Sequence, residues 1–346
     1  MTAVADSEKS SEQEGTLIAI VGYNNGGDIR ACLIALAAST DENFEISICE
    51  NGGPAAYQNL IEELSDVVDF CDIKPKAADV RVDASCGGRL RPNGQTVKIY
   101  KANANLGYAG GVNVTLRQIL AGEPSSAVWI LNPDTEPVPA ALSALVMRAR
   151  LGGCSLVSSR LVIKSTKRVQ SYGGRWRRLL ARGYNIGWNA SQDHVPDFVE
   201  IEKAMTYVSG ASLFATRGYV ERVGLMDERY FLYCEEVDWC FRRGGERIGY
   251  AHDALVYHSY GTAMGSSSNL NRRSSLSVYL DERNKILLTR EFFPRQYPFT
   301  LAITLLLTLQ YLKAGSFANF YTALSGWFAG LRGQVGLPKR FYELAR

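Results

Sequence analysis

The sequence lacks the cysteine and histidine patterns that mark disulfide-rich domains and zinc proteins. Its seven cysteines form no C-x-x-C pair, and the 346 residues include only three histidines. Cys32, Cys49 and Cys154 fall in or beside predicted regular elements. This usage indicates reduced, cytosolic thiols and argues against a disulfide framework or a structural zinc site.

Long hydrophobic segments are also scarce. Residues 1–14 are polar and acidic without an apolar core, so we expect a disordered tail and no signal peptide. The longest apolar run, 299–312, is shorter than a membrane span and contains Gln310. Residues 298–331 carry one charge, Lys313, which fits either two packed helices or an interfacial hairpin.

The overall charge of +3 points to no particular partner, and we expect no nucleic-acid binding. The local distribution is more informative, because residues 151–192 contain no acid. Their basic residues are Arg160, Lys164, Lys167, Arg168, Arg175, Arg177, Arg178 and Arg182. Such a block favours phosphates, anionic glycans or an anionic membrane surface, and a solvated basic face is an equal alternative.

Strand, loop and helix alternate four times in the first half of the chain. Apolar runs at 16–21, 44–49, 97–100 and 128–131 each precede a polar loop and a helical pattern. This order predicts an α/β fold with a mostly parallel central sheet flanked by helices. Residues 70–96 read as an irregular insertion. Beyond 155, strands are expected at 156–163, 206–215 and 248–256, around a helix at 235–243.

Polar residues follow every one of the first four strands. In parallel sheets, ligands bind beyond the carboxyl ends of the strands, so these loops should converge on one site. The third loop places Gly107, Gly110 and Gly111 ahead of a helix, where a phosphate could approach the backbone. Its spacing matches no standard phosphate-binding motif, and a tight turn is the competing interpretation.

Asp134 lies where the fourth strand stops, in "LNPDT". Pro133 cannot donate to the sheet, so it ends strand pairing and exposes the carboxylate at the mouth of the strand. Such an oxygen ligand suits Mg²⁺ or Mn²⁺ bound to a diphosphate. The alternative is a capping role for the helix that follows.

A cluster of acids opens the helix at 235, in "FLYCEEVDWCFRR". Glu235, Glu236 and Asp238 stand among aromatic residues, where burial raises the pKa of a carboxyl group and suits it to general-base work. Acids at a helix start also satisfy the helix dipole, which is the simpler interpretation. His258, just past a strand, is either a packed residue or a nitrogen ligand of the same metal.

Together these stretches resemble a known enzyme family. In chain order they are "VGYNNGGDIRACLIAL", "ENGG", "NANLGYAGGVNVTL", "WILNPDTEPV", "FLYCEEVDWCFR" and "DERNKILLTREFFP". Their order and spacing, over about 16–295, are similar to inverting nucleotide-sugar glycosyltransferases of family 2, in the rhamnosyltransferase-like subgroup. The resemblance implies a GT-A nucleotide-diphospho-sugar transferase fold with a helical C-terminal extension.

The resemblance also implies residue roles. Glu236 aligns with the catalytic base, with Glu235 and Asp238 beside it, while Asp134 and His258 would hold Mn²⁺ or Mg²⁺. The residues implied to bind the nucleotide sugar are Tyr23, Asn25, Glu50, Asn105, Gly107, Gly111, Asn132 and Arg283. Two positions depart from the family pattern, since Glu50 replaces the usual Asp and Glu235-Glu236 replaces the usual Glu-Asp. The choice between Glu235 and Glu236 as base therefore stays open.

The implied reaction moves a sugar, with rhamnose as one candidate, from a dTDP- or UDP-linked donor to a bacterial surface glycan or lipid-diphosphate-linked acceptor. The enzyme would be cytoplasmic, either free or peripheral on the inner face of the plasma membrane, and a homodimer is one possible state. Trp176 and Trp188 could stack on acceptor sugars, although core or surface roles are equally compatible. A catalytically inactive glycan-binding scaffold and a nucleotidyltransferase are the alternatives.

The same analysis divides the chain into a tail, a catalytic domain and a C-terminal region. The tail comprises 1–14 and the GT-A domain 15–264. Within that domain, the nucleotide-binding half covers about 15–150 and the acceptor half about 151–264. Residues 265–346 are expected to form a linker and helices that pack on the catalytic domain, a second subunit or a bilayer.

Overall fold

The computed structural model describes residues 15–73, 75, 78–259 and 270–341. The expected tail at 1–14 and the first part of the expected linker, up to 269, lie outside these residues. The strands are β1 Thr16–Gly22, β2 Phe44–Glu50, β3 Val68–Cys71, β4 Val82–Leu90, β5 Thr96–Ala102, β6 Ala127–Leu131, β7 Thr135–Pro137, β8 Leu156–Ile163, β9 Arg168–Ser171, β10 Gly173–Arg177, β11 Arg182–Ile186, β12 Ser212–Thr216 and β13 Ile248–His258.

Helices cover both faces of the sheet and form the C-terminal region. They are α1 Gly26–Ala37, α2 Gly53–Glu63, α3 Gly107–Leu120, α4 Ala141–Gly152, α5 Phe198–Ala204, α6 Arg217–Val223, α7 Glu235–Phe241, α8 Ser275–Phe292, α9 Tyr297–Leu307, α10 Leu309–Lys313 and α11 Phe317–Leu331. Short 3₁₀ turns lie at Glu228–Tyr230, Leu270–Arg272 and Lys339–Phe341.

Within the described part of the chain, eleven strands form one sheet. The order is β3-β4-β5-β2-β1-β6-β12-β8-β13-β7, and β9 pairs with β8. The centre, β5-β2-β1-β6, is parallel, and β8 and β13 form a second parallel pair. The expected α/β fold with a mostly parallel central sheet is therefore confirmed, with antiparallel strands joined to both sides.

The central strands are buried on both faces, which explains their continuous apolar sequences. One core cluster includes Leu17 and Ala19 of β1, and the other includes Ile18 and Ile20. Alternate residues of one strand thus enter the two cores. The carboxyl ends of β1, β2 and β6 are thereby held at one edge, where the functional loops begin.

Two predicted elements differ in the structure. The insertion at 70–96 is largely ordered: β3, β4 and β5 pair in antiparallel fashion and extend the main sheet. The sequence of β4 is polar and contains glycine, because one face of the strand is solvated. It therefore lacks the apolar pattern from which a strand is predicted. The strand expected at 206–215 begins only at Ser212. The residues before Ser212 form a connection in which Gly210 lies beside Glu236 of α7.

The C-terminal helices pack on the sheet-containing part of the chain through α8. Glu282, Arg283 and Asn284 on α8 have no exposed surface. Helix α11 lies against α8 through small residues: a Cβ at Gly326 would stand 2.4 Å from the backbone oxygen of Tyr279. No helix among the described residues is long and apolar enough to cross a membrane.

The close approach of α11 to α8 predicts a stability effect at Gly326. Alanine there should lower the free energy of unfolding by about 1–2 kcal/mol, because overpacking outweighs the roughly 1 kcal/mol gain in helix propensity. Urea titration measures the difference. Gly245→Ala is the control, since its Cβ would meet no atom within 4 Å. Equal midpoints for the two variants would contradict this packing.

Candidate active site

A cleft of about 680 Å³ opens at the carboxyl edge of β1 and β6. Five segments of the chain form its wall. They are the loop after β1, Asn51 after β2, the start of α3, the turn after β6, and Phe231 to Tyr233. The residues predicted from sequence that line it are Tyr23, Asn25, Asn105, Gly107, Asn132 and Asp134. The convergence expected from topology is thus present in the structure.

Glu50 lies buried behind one end of this cleft. Its Oε1 accepts hydrogen bonds from the backbone N–H of Gly52 at 2.7 Å and of Asn24 at 3.2 Å. Its Oε2 is buried without a hydrogen-bond partner in the structure. Burial raises the pKa of Glu50, with the two backbone donors acting in the opposite direction. One carboxylate oxygen therefore remains available to a donor group placed at this end.

The glycine loop at the start of α3 is shaped by packing. Gly107 has φ +71°, and a Cβ there would lie 2.2 Å from the backbone oxygen of Phe231. The side chain of Asn105 accepts from the Gly107 N–H at 3.0 Å, and Asn51 donates to the Gly107 carbonyl at 3.0 Å. Gly111 lies behind the cleft wall, where its Cβ would lie 2.6 Å from Val21. These glycines let α3 approach β1 and the 231 segment closely.

Asp134 and His258 are brought together by strand pairing. After the turn at Pro133, the chain resumes as β7, whose Thr135 pairs with His258 at the end of β13. The Oδ1 of Asp134 lies 3.1 Å from Nε2 of His258, and both side chains are buried. Asp134 does not cap α4, which begins at Ala141 after the residue Ala140.

Gln170 fixes the ring of His258. Its Oε1 lies 2.7 Å from Nδ1, on the side of the imidazole opposite Asp134. With Nδ1 hydrogen-bonded to Gln170, Nε2 is the ring nitrogen that faces the carboxylate of Asp134. In the described ranges no three His, Cys, Asp or Glu side chains form a metal-binding group. Asp134 and His258 thus bring one carboxylate oxygen and one imidazole nitrogen close together.

The three acids of α7 have different surroundings. Asp238 accepts from Nε of Arg242 at 2.7 Å and from the hydroxyl of Tyr230 at 3.1 Å. Glu235 is buried, and its Oε2 has no hydrogen-bond partner in the structure. Glu236 is partly exposed. Both oxygens of Asp238 are thus engaged by side chains, whereas no side-chain donor to Glu235 or Glu236 is seen among the described residues.

Burial favours the neutral form of these two glutamates. Desolvation raises the pKa of Glu235 well above its ordinary value, and the neighbouring Glu236 raises it further. Desolvation also raises the pKa of Glu236. Since Glu236 is the more exposed, it is the member of the pair that ionises more easily.

Tyr108 links the acids to Asp134, although sequence reasoning did not select it. Its ring lines the cleft, and its hydroxyl donates to the Gly210 carbonyl at 2.7 Å. Burial raises the pKa of this hydroxyl, and Glu235, Glu236 and Asp134 add to the shift. A Cβ at Gly210 would stand 3.6 Å from the Tyr108 ring and 3.7 Å from Cβ of Glu236. Tyr108 therefore lies near Glu236 and shares the cleft wall with Asp134.

Arg283 has a structural position away from the cleft wall. Its guanidinium is fully buried and donates to the carbonyl of Tyr230 at 2.8 Å. The adjacent Asn284 donates to the carbonyls of Tyr230, Leu232 and Tyr233 at 3.0, 2.7 and 2.8 Å. Both residues hold the segment that forms one wall of the cleft. The donor contact implied for Arg283 would require a change in this network.

The two tryptophans do not line the cleft. Trp176 is buried in the core and packs edge-on against Phe241, with ring centroids 6.4 Å apart. Trp188 lies in the turn after β11 and is exposed. Acceptor stacking by either residue remains a prediction, and Trp188 has the accessible ring.

Other residues of the site carried little sequence signal. Tyr108 stands inside the "NLGYAGG" stretch and could have been selected from it. Gln170, in "RVQSYGG", belongs to no recognisable motif. Asn284 follows Arg283 in "DERNKILLTREFFP", and its three carbonyl contacts depend on a turn that cannot be read from the sequence.

No family model matches the chain. Over 307 residues it is 23% identical to the low-salt glycan biosynthesis hexosyltransferase Agl10 of Haloferax volcanii, covering 86% of this chain and 94% of that protein. Over 258 residues it is 27% identical to an N-acetylglucosaminyl-diphospho-decaprenol L-rhamnosyltransferase of Mycobacterium tuberculosis, covering 69% and 72%.

Two solved structures share the fold. GalNAc-T7 with UDP, GalNAc and Mn²⁺ has a TM-score of 0.56 and 12% identity, covering 96% of this chain but only 57% of that chain. The mannosyltransferase PcManGT of Pyrobaculum calidifontis with GDP-Man and Mn²⁺ has a TM-score of 0.50 and 12% identity, covering 93% and 88%. The chain therefore has a GT-A fold. Its relatives are glycosyltransferases, consistent with the rhamnosyltransferase-like subgroup, and the chain is a glycosyltransferase.

The three carbonyl contacts of Asn284 generate a prediction. Asn284→Asp removes the donor and places a carboxylate against three carbonyl oxygens, so the free energy of unfolding should fall by at least about 2 kcal/mol. Chemical denaturation measures the loss. The control is Asn189→Asp, at an exposed residue with φ +66° that aspartate tolerates. An unchanged denaturation midpoint for Asn284→Asp would show that these three hydrogen bonds do not contribute to the stability of the fold.

Proposed function

We propose that the chain is an inverting, divalent-metal-dependent glycosyltransferase. It would move a sugar from a nucleotide-diphosphate donor to a hydroxyl group of a glycan carried on a lipid diphosphate. One observation carries the proposal: Tyr108 lines the cleft together with Asp134, and its side chain also lies beside Gly210, which adjoins Glu236 of α7. A metal held by Asp134 and a base at Glu236 would therefore both lie near Tyr108.

The donor set of the Asp134–His258 pair fits Mn²⁺ or Mg²⁺. A carboxylate oxygen and an imidazole nitrogen that presents its lone pair are ligands of such metals, and Gln170 supplies the second hydrogen bond that orients the ring. The donor's phosphate oxygens would complete the coordination. When bound, the metal would stabilise the negative charge of the departing nucleoside diphosphate.

Glu236 would act as the base. In its ionised form it would accept the proton of the acceptor hydroxyl, whose oxygen then attacks the anomeric carbon while the bond to the diphosphate breaks. A single displacement needs one carboxylate and inverts the configuration. Glu235, whose pKa burial and Glu236 raise, would stay neutral and leave the charge of the pair on Glu236.

The nucleoside would occupy the end of the cleft near Tyr23, Asn25 and Asn51, with Glu50 behind them. Rhamnose is the first sugar to test, because one relative is named as an L-rhamnosyltransferase. The dTDP- or UDP-linked form of the donor is what the family resemblance implies. That relative's name also specifies a glycan on a lipid diphosphate, which suggests the acceptor class. Glu50 in place of the usual aspartate makes a wider panel of nucleotides necessary.

Removing the proposed metal ligands should abolish turnover. With Mn²⁺ and a panel of dTDP-, UDP- and GDP-sugars, the wild type should slowly release free nucleoside diphosphate. Asp134→Ala and His258→Ala should reduce this rate by on the order of 100-fold or more, because metal stabilisation of the leaving group is worth several kcal/mol.

The matched controls are Asp193→Ala and His194→Ala, an exposed aspartate–histidine pair away from the cleft. They should hydrolyse the donor at the wild-type rate and lose the rate equally when EDTA is added. Absence of turnover with every donor, together with nucleotide binding that Asp134→Ala leaves unchanged, would favour an inactive binding protein instead.

Replacing the base should separate catalysis from donor binding. Glu236→Gln should lower the transfer rate by about 10²–10⁴-fold, the usual contribution of a general base, and leave the dissociation constant of the donor unchanged. Steady-state kinetics and calorimetric titration of the nucleotide measure the two quantities.

Glu235→Gln is the neighbouring control and should retain most activity, because Glu235 already favours its neutral form. In the wild type, activity should fall as the pH decreases through the raised pKa of Glu236, since the base must be ionised. An active Glu236→Gln with an inactive Glu235→Gln would transfer the role to Glu235.

A further inference from the structure

Helix α9 faces the protein with its polar side chains. Thr300 and Thr304 are completely buried, whereas Phe299 and Leu306 are 67% and 66% exposed. An ordinary surface helix of a water-soluble domain has the opposite arrangement. Moving exposed leucine and phenylalanine side chains from water into an apolar medium is favourable. A partner surface that covers this face of α9 would therefore lower the free energy.

The orientation of α9 is fixed by hydrogen bonds. The Thr300 hydroxyl donates to the carbonyl of Arg178 at 3.3 Å. The Thr304 hydroxyl donates to the Thr300 carbonyl at 2.7 Å and accepts from Nε1 of Trp327 at 3.1 Å. Rotating α9 to bury its leucines would break these contacts and expose Trp327 of α11. The apolar face therefore points outwards as a consequence of the fold.

Helix α11, which contacts α9 through Trp327, has a similar outer face. Its buried side consists of Asn319 and the small residues at 323, 326 and 330, of which Gly326 and Gly330 press against α8. Its exposed large residues recur at the spacing of one helix face: Phe317, Tyr321, Phe328 and Leu331. Because Gly326 leaves no room beside the α8 backbone, α11 is fixed as well.

A positive rim adjoins this apolar surface. The β10–β11 hairpin reaches α9 at Arg178, whose guanidinium also lies 4.9 Å from the ring centroid of Phe293. Arg175, Arg177 and Arg182 on the same hairpin are exposed, and within the described ranges none of the hairpin arginines lies within 4.0 Å of a carboxylate oxygen. Exposed Leu179 stands at the tip among them.

We infer that the docking face, defined as the outer sides of α9 and α11 with the β10–β11 hairpin tip, binds the surface of a bilayer that contains anionic lipids. Apolar side chains would enter the boundary between headgroups and acyl chains, and the arginines would meet lipid phosphates. At 11 residues, α9 lies in the interface and does not cross it.

The charges favour a membrane over a second copy of the chain. A two-fold interface brings the same patch of both subunits together, so the arginine hairpins would face each other. Residues 151–192 contain no acid to compensate them. Anionic headgroups supply the opposite charge at every point of the surface.

The inference is separate from the proposed reaction, because docking needs neither donor nor acceptor. The test uses the full-length protein and sedimentation with vesicles of phosphatidylcholine, with and without phosphatidylglycerol. The wild type should bind the anionic vesicles and should bind more weakly as salt is added, since salt screens the arginines.

Two double variants test the apolar and the basic parts of the docking face separately. Phe299→Ser/Leu306→Ser and Arg175→Gln/Arg177→Gln should each weaken vesicle binding by about tenfold. The apolar control is Met147→Ser/Leu151→Ser, which replaces residues 58% and 80% exposed on α4. The charge control is Arg150→Gln/Lys203→Gln, also at exposed positions. Both controls should bind like the wild type.

Three results would overturn the inference: no binding of the wild type to anionic vesicles, equal losses in the docking-face and control variants, or a vesicle-free dimer that Phe299→Ser/Leu306→Ser dissociates. The last, seen by light scattering, would make the face a subunit interface. Circular dichroism melts check that the variants fold, and donor hydrolysis with Mn²⁺ should be unchanged in them. Loss of vesicle binding with retained hydrolysis thus separates this inference from the proposed function.

Discussion

The turn from Phe231 to Cys234 is the constraint on which the active cleft depends. Phe231, Tyr233 and Cys234 have φ of +66°, +70° and +75°, a left-handed conformation that costs free energy for residues with a Cβ. Asn284 offsets this cost by donating to the carbonyl of Tyr230 just before the turn and to those of Leu232 and Tyr233 within it. The N–H of Tyr108 donates to the Phe231 carbonyl at 2.8 Å. The turn forms a wall of the cleft and delivers the chain directly into α7.

The same turn explains why Gly107 is glycine and why the acids of α7 lie where they do. The Phe231 backbone occupies the volume that a Cβ at Gly107 would fill, so α3, the turn and α7 are mutually fixed. Since α7 begins at Glu235, the left-handed Cys234 sets the direction in which both glutamates point. The helix dipole and the proposed catalytic role are compatible here, because the positive end of a helix also stabilises an ionised base.

The sequence predicted those features of the structure that depend on residues close together in the chain. The apolar runs predicted the parallel strands, and proline after β6 predicted that Asp134 would stand at a strand's mouth. The sequence could not show that β7 pairs with β13, and this pairing is what brings His258 to 3.1 Å from Asp134. Gln170 and Asn284 act through contacts between residues far apart in the chain. The expected irregular insertion instead forms strands, because pairing at a sheet edge overrides weak propensity.

The C-terminal helices connect the cleft to the docking face. The inner side of α8 is unusually polar for a buried helix. Its Arg283 and Asn284 side chains donate hydrogen bonds to the Tyr230 carbonyl, next to the turn. Its other side receives Gly326 and Gly330 of α11, whose outer residues are aromatic and aliphatic. One layer of helices thus separates the strained turn from the docking face. A bilayer bound at the docking face would therefore contact α11, the helix that packs on the side of α8 away from the turn.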